Sequence, residues 1–235
     1  MLRLTIAGKA EPWAANVPDA ARVCLAAGAA GPIGGDQLAL EVDVGADSVL
    51  ILRDISATLL LPGPDGEPSR TRTDIHVAAG ATFIWLPEPM IAARDCHHIN
   101  DVRVELDSGA RLLLREELLL GRHGESPGTV RQRLRVRLGG CPLYQQHLDI
   151  GPGAAGWDSP AVVGDHRALG SILAVDPAWS DGTPPARPLA GDAALLPLSG
   201  PAVLVSALGA DSLALRRSLD GGLKTLGPPF GRVPP

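Results

Sequence analysis

Three short stretches of this 235-residue chain carry residue types whose spacing could do chemistry. Gly124-Glu125-Ser126-Pro127-Gly128 has the G-x-S-x-G spacing that presents a serine nucleophile on a tight strand-to-helix turn. In such a turn the residue after the serine donates its backbone N–H to the oxyanion. Here that residue is Pro127, which has no N–H. An alternating segment, not a helix, comes next, so a plain loop is expected. Gly151-Pro152-Gly153-Ala154-Ala155-Gly156 has G-x-G-x-x-G spacing, but Trp157-Asp158-Ser159-Pro160 offers no helix to receive a pyrophosphate. A turn is expected there, and no G-x-x-x-x-G-K nucleotide loop occurs. Cys96-His97-His98, with Asp95 and Asp101 beside it, is the densest group of soft ligands and would suit nickel or zinc. Neighbours on a strand point to opposite faces, and no second Cys/His cluster completes four ligands. The three residues are therefore expected to act at most as weak, transient metal ligands.

Arg131, Arg133, Arg135 and Arg137 recur at every second position, which places four cations on one face of one strand. The plain reading is a solvated outer sheet face, and the functional one is a docking surface for an acidic partner. Glu116-Glu117 is expected to pair with this stripe across the sheet. The whole chain carries a net charge of −5, so no basic field for nucleic acid or anionic lipid is expected. Cys24, Cys96 and Cys141 are few, odd in number and far apart, which fits reduced thiols and a cytoplasmic location. Met1 to Pro12 lacks the pattern of a signal peptide. The uncharged stretch from Ala193 to Ala210 is interrupted by Pro197, Gly200, Pro201 and Gly209, so buried strand and turn is expected there instead of a membrane span.

The elements that must position these groups are strands. Leu38, Leu40, Val42 and Val44 alternate, as do Val102, Val104 and Leu106, and as do Val130, Leu134, Val136 and Leu138 with Gln132 in register. An alternating run, a Gly with a small residue, then a second apolar run occurs four times. The turns are Gly45-Ala46, Gly80-Ala81, Gly109-Ala110 and Gly139-Gly140, about 30 residues apart. Each unit reads as a β-hairpin. The expected fold is mainly β, with stacked or facing antiparallel sheets built from repeated hairpins. One helix is expected near the end, capped by Asp211 or Ser212, with a stripe of Leu213, Leu215, Leu219 and Leu223. Gly221-Gly222 weakens its second half, and Gly227-Pro228-Pro229 stops it.

Several ordered segments resemble the urease accessory proteins of the UreD (UreH) type. Gly31-Pro32-Ile33-Gly34-Gly35-Asp36 is similar to that family's G-P-x-x-G-G-D segment. The run from Gly80 through Trp85, Pro87 and Pro89 to Ile91 is similar to its G-A-x-x-x-W-x-P-x-P-x-I segment. Gly109-Ala110-Arg111-Leu112, Glu117 and Gly121-Arg122-His123-Gly124-Glu125 follow in the family's order, as does Ala207-Leu208-Gly209. The similarity runs from about residue 30 to 226. The chain departs from the family at Leu59-Leu60, where members carry Lys-x-Tyr, and in its shortened ending, which marks a divergent member.

The resemblance implies one domain over 1–235, a mainly β fold with about two helices, and a loose tail from 227 to 235. It implies no catalytic residue and no tightly bound cofactor. It also implies a scaffold that assembles with a UreF-type accessory protein, a UreG-type GTPase and the urease apoprotein, passing nickel transiently through an internal channel. Function is then expected to concentrate at Gly34, Gly35, Asp36, Trp85, Pro87, Pro89, Glu117, Arg122 and Glu125. A plainer structural reading stands beside each: a self-capping turn for Asp36, core packing and a rigid strand exit for Trp85 and the prolines, and an ion pair across a loop for Arg122 and Glu125. The competing functions are a hydrolase using Ser126 and a generic β-sheet binding module without metal.

Overall fold

In the computed structural model, which describes residues 1–6 and 20–232, the alternating segments are strands. β1 (Leu2–Ile6) and β2 (Ala21–Leu25) come first, then β3 (Gln37–Val44), β4 (Val49–Asp54), β5 (Thr58–Leu60), β6 (Ser69–Val77), β7 (Thr82–Leu86) and β8 (Met90–Ala92). β9 (His97–Leu106), β10 (Arg111–Leu119), β11 (Thr129–Leu138), β12 (Cys141–Ile150) and β13 (Ala168–Val175) follow. β14 (Arg187–Leu189), β15 (Asp192–Pro197), β16 (Ala202–Gly209) and the helix α1 (Ser212–Thr225) complete the order. Half of the stretch Met1 to Pro12, expected to carry no signal peptide, falls outside the described residues.

The expected hairpins are corrected at three of the four glycine turns. β3, β6, β9 and β11 lie parallel in one sheet, ordered β1-β3-β6-β9-β11-β12. β4, β7 and β10 lie parallel in a second, larger sheet, ordered β14-β15-β16-β13-β10-β7-β4-β2. The turns at Gly45, Gly80 and Gly109 therefore carry the chain across the core from one sheet to the other. Gly139-Gly140 alone closes a hairpin, between β11 and β12. Period-two alternation reports which face of a strand is buried but not which strand lies beside it. Two apolar runs around a glycine can bury their faces against each other across a core as well as side by side. The roughly 30-residue repeat fits stacked coils of this kind. Gly80 (φ 73°) and Gly109 (φ 85°) take the left-handed backbone the corners need. Successive corners are tied together by Asp47 N–H to Ala79 O and Asp107 N–H to Val77 O.

Between the sheets, Val42, Val44, Ile75, Val77, Val104 and Leu106 meet Leu50, Leu52, Phe83, Leu112 and Leu173 in one apolar cluster near the corners. The outer side of the larger sheet is covered by α1, whose Leu215, Leu219 and Leu223 recur every four residues and pack with Ile84, Leu113, Ile172 and Val205. Asp211 caps this helix, its carboxylate accepting from Ala214 N–H at 2.7 Å. Among the described residues α1 is the single α-helix, joined by one-turn 3-10 segments at Pro177–Trp179 and Phe230–Arg232, so the second helix expected from the resemblance is not found. Phe230, placed by expectation in a loose tail, is fully buried and tilts against Trp179 at 5.8 Å. No helix among the described residues is long and apolar enough to cross a membrane.

The glycine pair in α1 has two different surroundings. A Cβ on Gly222 would sit 2.5 Å from Val205 Cγ1, on a stiff branched side chain in the sheet, whereas a Cβ on Gly221 would meet open space. Gly222 thus lets the helix close on the sheet. Gly221→Ala should stabilise the protein by about 0.5–1 kcal/mol through helix propensity. Gly222→Ala should destabilise it by about 1–3 kcal/mol through overpacking. Thermal melting of the two variants checks the opposite signs.

Candidate functional site

Away from the corners the interior of the sandwich turns polar. The strand register lines up Thr71, Asn100 and Gln132 as one inward row across β6, β9 and β11. Ser69 and His98 lie in the row before it, and Thr73 beside Val102 in the row after it. From the opposing sheet, Glu116 projects inward with Leu112 and Leu114, beside Ser171 of β13. These groups stand around a cavity of about 780 Å³ that Thr71, Thr73, His98, Asn100, Trp85 and Glu116 help to line. Its rim carries the exposed apolar side chains of Met1, Leu2 and Leu38.

Three groups in this cavity are unusual for a protein interior. Protein atoms surround Glu116, yet it keeps accessible area because that area faces the cavity; burial alone pushes its carboxyl up to about 7. No cation pairs with it among the described residues. Its charge, after burial, also helps push the Tyr144 phenol up to about 12. His98 is buried, with Nδ1 at 2.9 Å from Ser69 Oγ and Nε2 without any partner. Ser69 Oγ also lies 3.4 Å from His97 O, and the tautomer of His98 decides which group donates at Nδ1. With Nδ1 protonated, Nε2 is a bare lone pair; with Nδ1 accepting, it is an unpaired N–H. Burial, helped by His97, pushes the ring down to about 4, so it stays neutral at pH 7. Trp85 Nε1–H is likewise buried without a partner. Asp54 and Glu88 also line the cavity; burial, then the charge of Glu88, pushes Asp54 up to about 6.

The expected site residues divide into those that frame this cavity and those that do not. Trp85 and Pro87 line it directly, and Pro89 O accepts from Thr58 N–H at 2.9 Å to fasten the segment behind them. Asp36 caps its own turn, Oδ2 accepting from Ile33 N–H at 2.9 Å, just past Gly31 on the cavity wall. Gly35 has φ 93°, and a Cβ on Gly34 would meet the Gly63 backbone at 2.5 Å, so both glycines are required by the local backbone.

Glu117 also borders the cavity, but its carboxylate is engaged on the α1 side. Its buried carboxylate lies 2.9 Å from Arg115 and 2.9 Å from Arg216, which also reaches Glu88 at 3.1 Å. Burial raises the Glu117 carboxyl, opposed by Arg115 and Arg216, and lowers the Arg115 guanidinium, opposed by Glu117. The expected pairing of Glu116-Glu117 with the arginine stripe is therefore corrected. Adjacent residues of β10 face the cavity and the helix, and the stripe lies on the outside of the other sheet.

Arg122 and Glu125 form a two-pronged ion pair across their loop at 2.7 and 2.8 Å, and hydrogen bonding from Arg122 holds the Glu125 carboxyl down to about 2. Ser126 sits next to it, exposed in the same loop. The cysteine–histidine triplet is split. Cys96 is packed in an apolar cluster with its thiol pushed up to about 11, chiefly by burial, while His97 is exposed and His98 faces the cavity. Among the described residues no three His, Cys, Asp or Glu side chains are grouped to hold a metal ion. Asn100 and Thr71 were not singled out from the sequence, and Glu116 was named only as a pairing partner for the arginine stripe. The available signal was the one noted at Gln132: a polar residue in register with an alternating apolar face.

Comparison with known proteins agrees on a family. The family described as UreD urease accessory protein matches residues 9–235. Urease accessory protein UreD 3 of Streptomyces griseus is 46% identical over 209 residues, covering 88% of this chain and 81% of that protein. Urease accessory protein UreD of Streptomyces avermitilis is 45% identical over 88% of this chain and 82% of its own length. Urease accessory protein UreD 2 of Saccharopolyspora erythraea is 42% identical over 87% and 74% respectively.

The Glu116 carboxyl makes stability depend on pH. Its folded value near 7 stands above the ordinary 4.5, so the folded state holds the proton more tightly than the unfolded chain. That contribution is complete below pH 4.5 and is lost as pH rises through 7. Glu116→Gln should match the parent near pH 4 and exceed it by about 2 kcal/mol at pH 8, allowing for the water-facing side of the carboxyl. Urea unfolding at the two pH values measures the difference.

Proposed function

Because the chain belongs to the UreD family of urease accessory proteins, we propose that it is a non-catalytic scaffold of urease maturation whose interior cavity carries nickel toward the urease apoprotein. The observation that supports this reading is the lining of that cavity. A neutral imidazole whose Nε2 has no partner and an unpaired carboxyl stand among hydroxyl and amide groups, inside a body otherwise packed with aliphatic side chains. Borderline ligands of this kind suit a divalent first-row ion. With no third strong donor grouped beside them among the described residues, such an ion is held weakly enough to leave, as conduction demands. Nickel here is cargo, and Asn100, Thr71 and Thr73 supply polar contacts along the wall.

The partners in this proposal are a UreF-type accessory protein, a UreG-type GTPase and the urease apoprotein, met in the cytoplasm. The exposed apolar rim at Met1, Leu2 and Leu38 gives the cavity a surround on which another protein could exclude water. A hydrolytic role has no support in the geometry around Ser126, which lies on an exposed loop beside an ion pair.

Expression of the urease operon without this chain should leave urease protein present but poor in nickel. Restoring the chain as Thr71→Trp, which fills the cavity from inside, should rescue assembly of the accessory complex but not nickel content, with activity down by at least about tenfold. Metal analysis of purified urease, set beside co-purification of the accessory proteins, separates a blocked passage from a lost scaffold. Full nickel loading with Thr71→Trp would rule out passage through this cavity.

A further inference from the structure

The arginine stripe found no role in the cavity, and its surroundings suggest another. We infer that the outer face of the six-stranded sheet pairs with the same face of a second copy of this chain, forming a weak, salt-sensitive dimer. Its two-fold axis runs along the strands between β6 and β9.

The argument rests on how charges are ordered in the strand register. In the row next to the corners, Asp43, His76, Glu105 and Arg137 stand side by side on β3, β6, β9 and β11. The next row reads Glu41, Asp74, Arg103 and Arg135. The row after that reads Ala39, Arg72, Asp101 and Arg133. All point outward, because their neighbours along each strand are in the core. A two-fold axis along the strands keeps each row at its own height and exchanges β3 with β11 and β6 with β9. Glu41 then meets the partner's Arg135, and Asp43 meets the partner's Arg137. Across the middle, Asp74 meets the partner's Arg103, Arg72 meets the partner's Asp101, and His76 meets the partner's Glu105. Every facing pair of ionised groups is of opposite sign. An axis running across the strands would instead set each column against itself, with Arg135 over Arg135, and is excluded by like-charge repulsion.

Pairs within one chain already use part of this charge. Asp101 accepts from Arg103 at 2.7 Å and Arg135 at 2.9 Å, and Arg3 lies on Glu41. Asp43 and Arg137 are about half exposed, with their nearest opposite charges at 3.8 and 3.7 Å, and Arg137 also donates to Gly140 O. Strands about 4.8 Å apart rising 3.3 Å per residue give the four-strand patch roughly 500 Å² per copy. A stable interface needs about 800 Å² per partner. Twisted sheets also stack within about 30° of alignment, which a two-fold axis along the strands permits. The small area and polar chemistry together make the association weak and screened by salt.

Sedimentation of the full chain at about 20 mM and about 500 mM salt, where the screening length changes severalfold, tests the inference. The expected result is a concentration-dependent dimer at low salt that dissociates at high salt. Asp43→Arg and Arg137→Asp should each weaken it by about tenfold, and the two together should return it to within about threefold of the parent. Circular dichroism confirms that the variants fold. A chain that stays monomeric at low salt overturns the inference, as does a dimer indifferent to salt, or a folded double variant that stays as weak as the singles. A monomer whose Arg137→Asp form loses binding to another accessory protein would assign the face to that protein and also overturn it.

Discussion

The corner that carries the chain from one sheet to the other is the constraint on which the rest depends. It forces each coil to lie on the last with its strands parallel and in register, so residues about 30 positions apart become neighbours in a row. Rows of valine, isoleucine and leucine then make the core near the corners. Rows of threonine, histidine and asparagine, at the same depth but further along the strands, leave a cavity. The outward rows, set by the same register, order the charges on the outer face. One backbone device therefore decides what is inside, what is hollow and what is presented.

Strand faces were legible in the sequence wherever one side of a strand meets water. β3, β9 and β11 alternate cleanly because their outer faces are solvated, and so the outward direction of Arg131, Arg133, Arg135 and Arg137 could be read directly. β10 could not be read in this way. It is covered on one side by the facing sheet and on the other by α1, so Leu112, Leu113 and Leu114 are all buried and the alternation disappears. Without alternation nothing in the sequence says which of Glu116 and Glu117 faces which way, and the cavity's carboxylate was missed for that reason. Pairing was illegible for a different reason, since a glycine turn between two apolar runs is compatible with a hairpin or with a corner. The family resemblance identified Trp85, Pro87 and Asp36 from their order alone, and the structure sets Trp85 and Pro87 on the cavity wall and the turn capped by Asp36 beside it.

Glu116 and Glu117 show how the fold handles neighbouring charges with opposite outcomes. Glu117 is buried but lies between Arg115 and Arg216, so the cost of removing it from water is offset by two cations. In return the network ties β10, the Glu88 segment and α1 together. Glu116 has no such partner, and an unpaired carboxylate in that setting is relieved by taking up a proton, which is why its titration moves up to about 7. A carboxyl that is half ionised near neutral pH is one from which a cation can displace a proton at little cost. Under the proposed passage of nickel, the same burial that makes Glu116 a liability for stability would couple metal uptake to proton release. His98 is held neutral by its own burial and has no charge to exchange at neutral pH. The same burial therefore has two outcomes in one cavity: a carboxyl that titrates near neutral pH and an imidazole that stays neutral there.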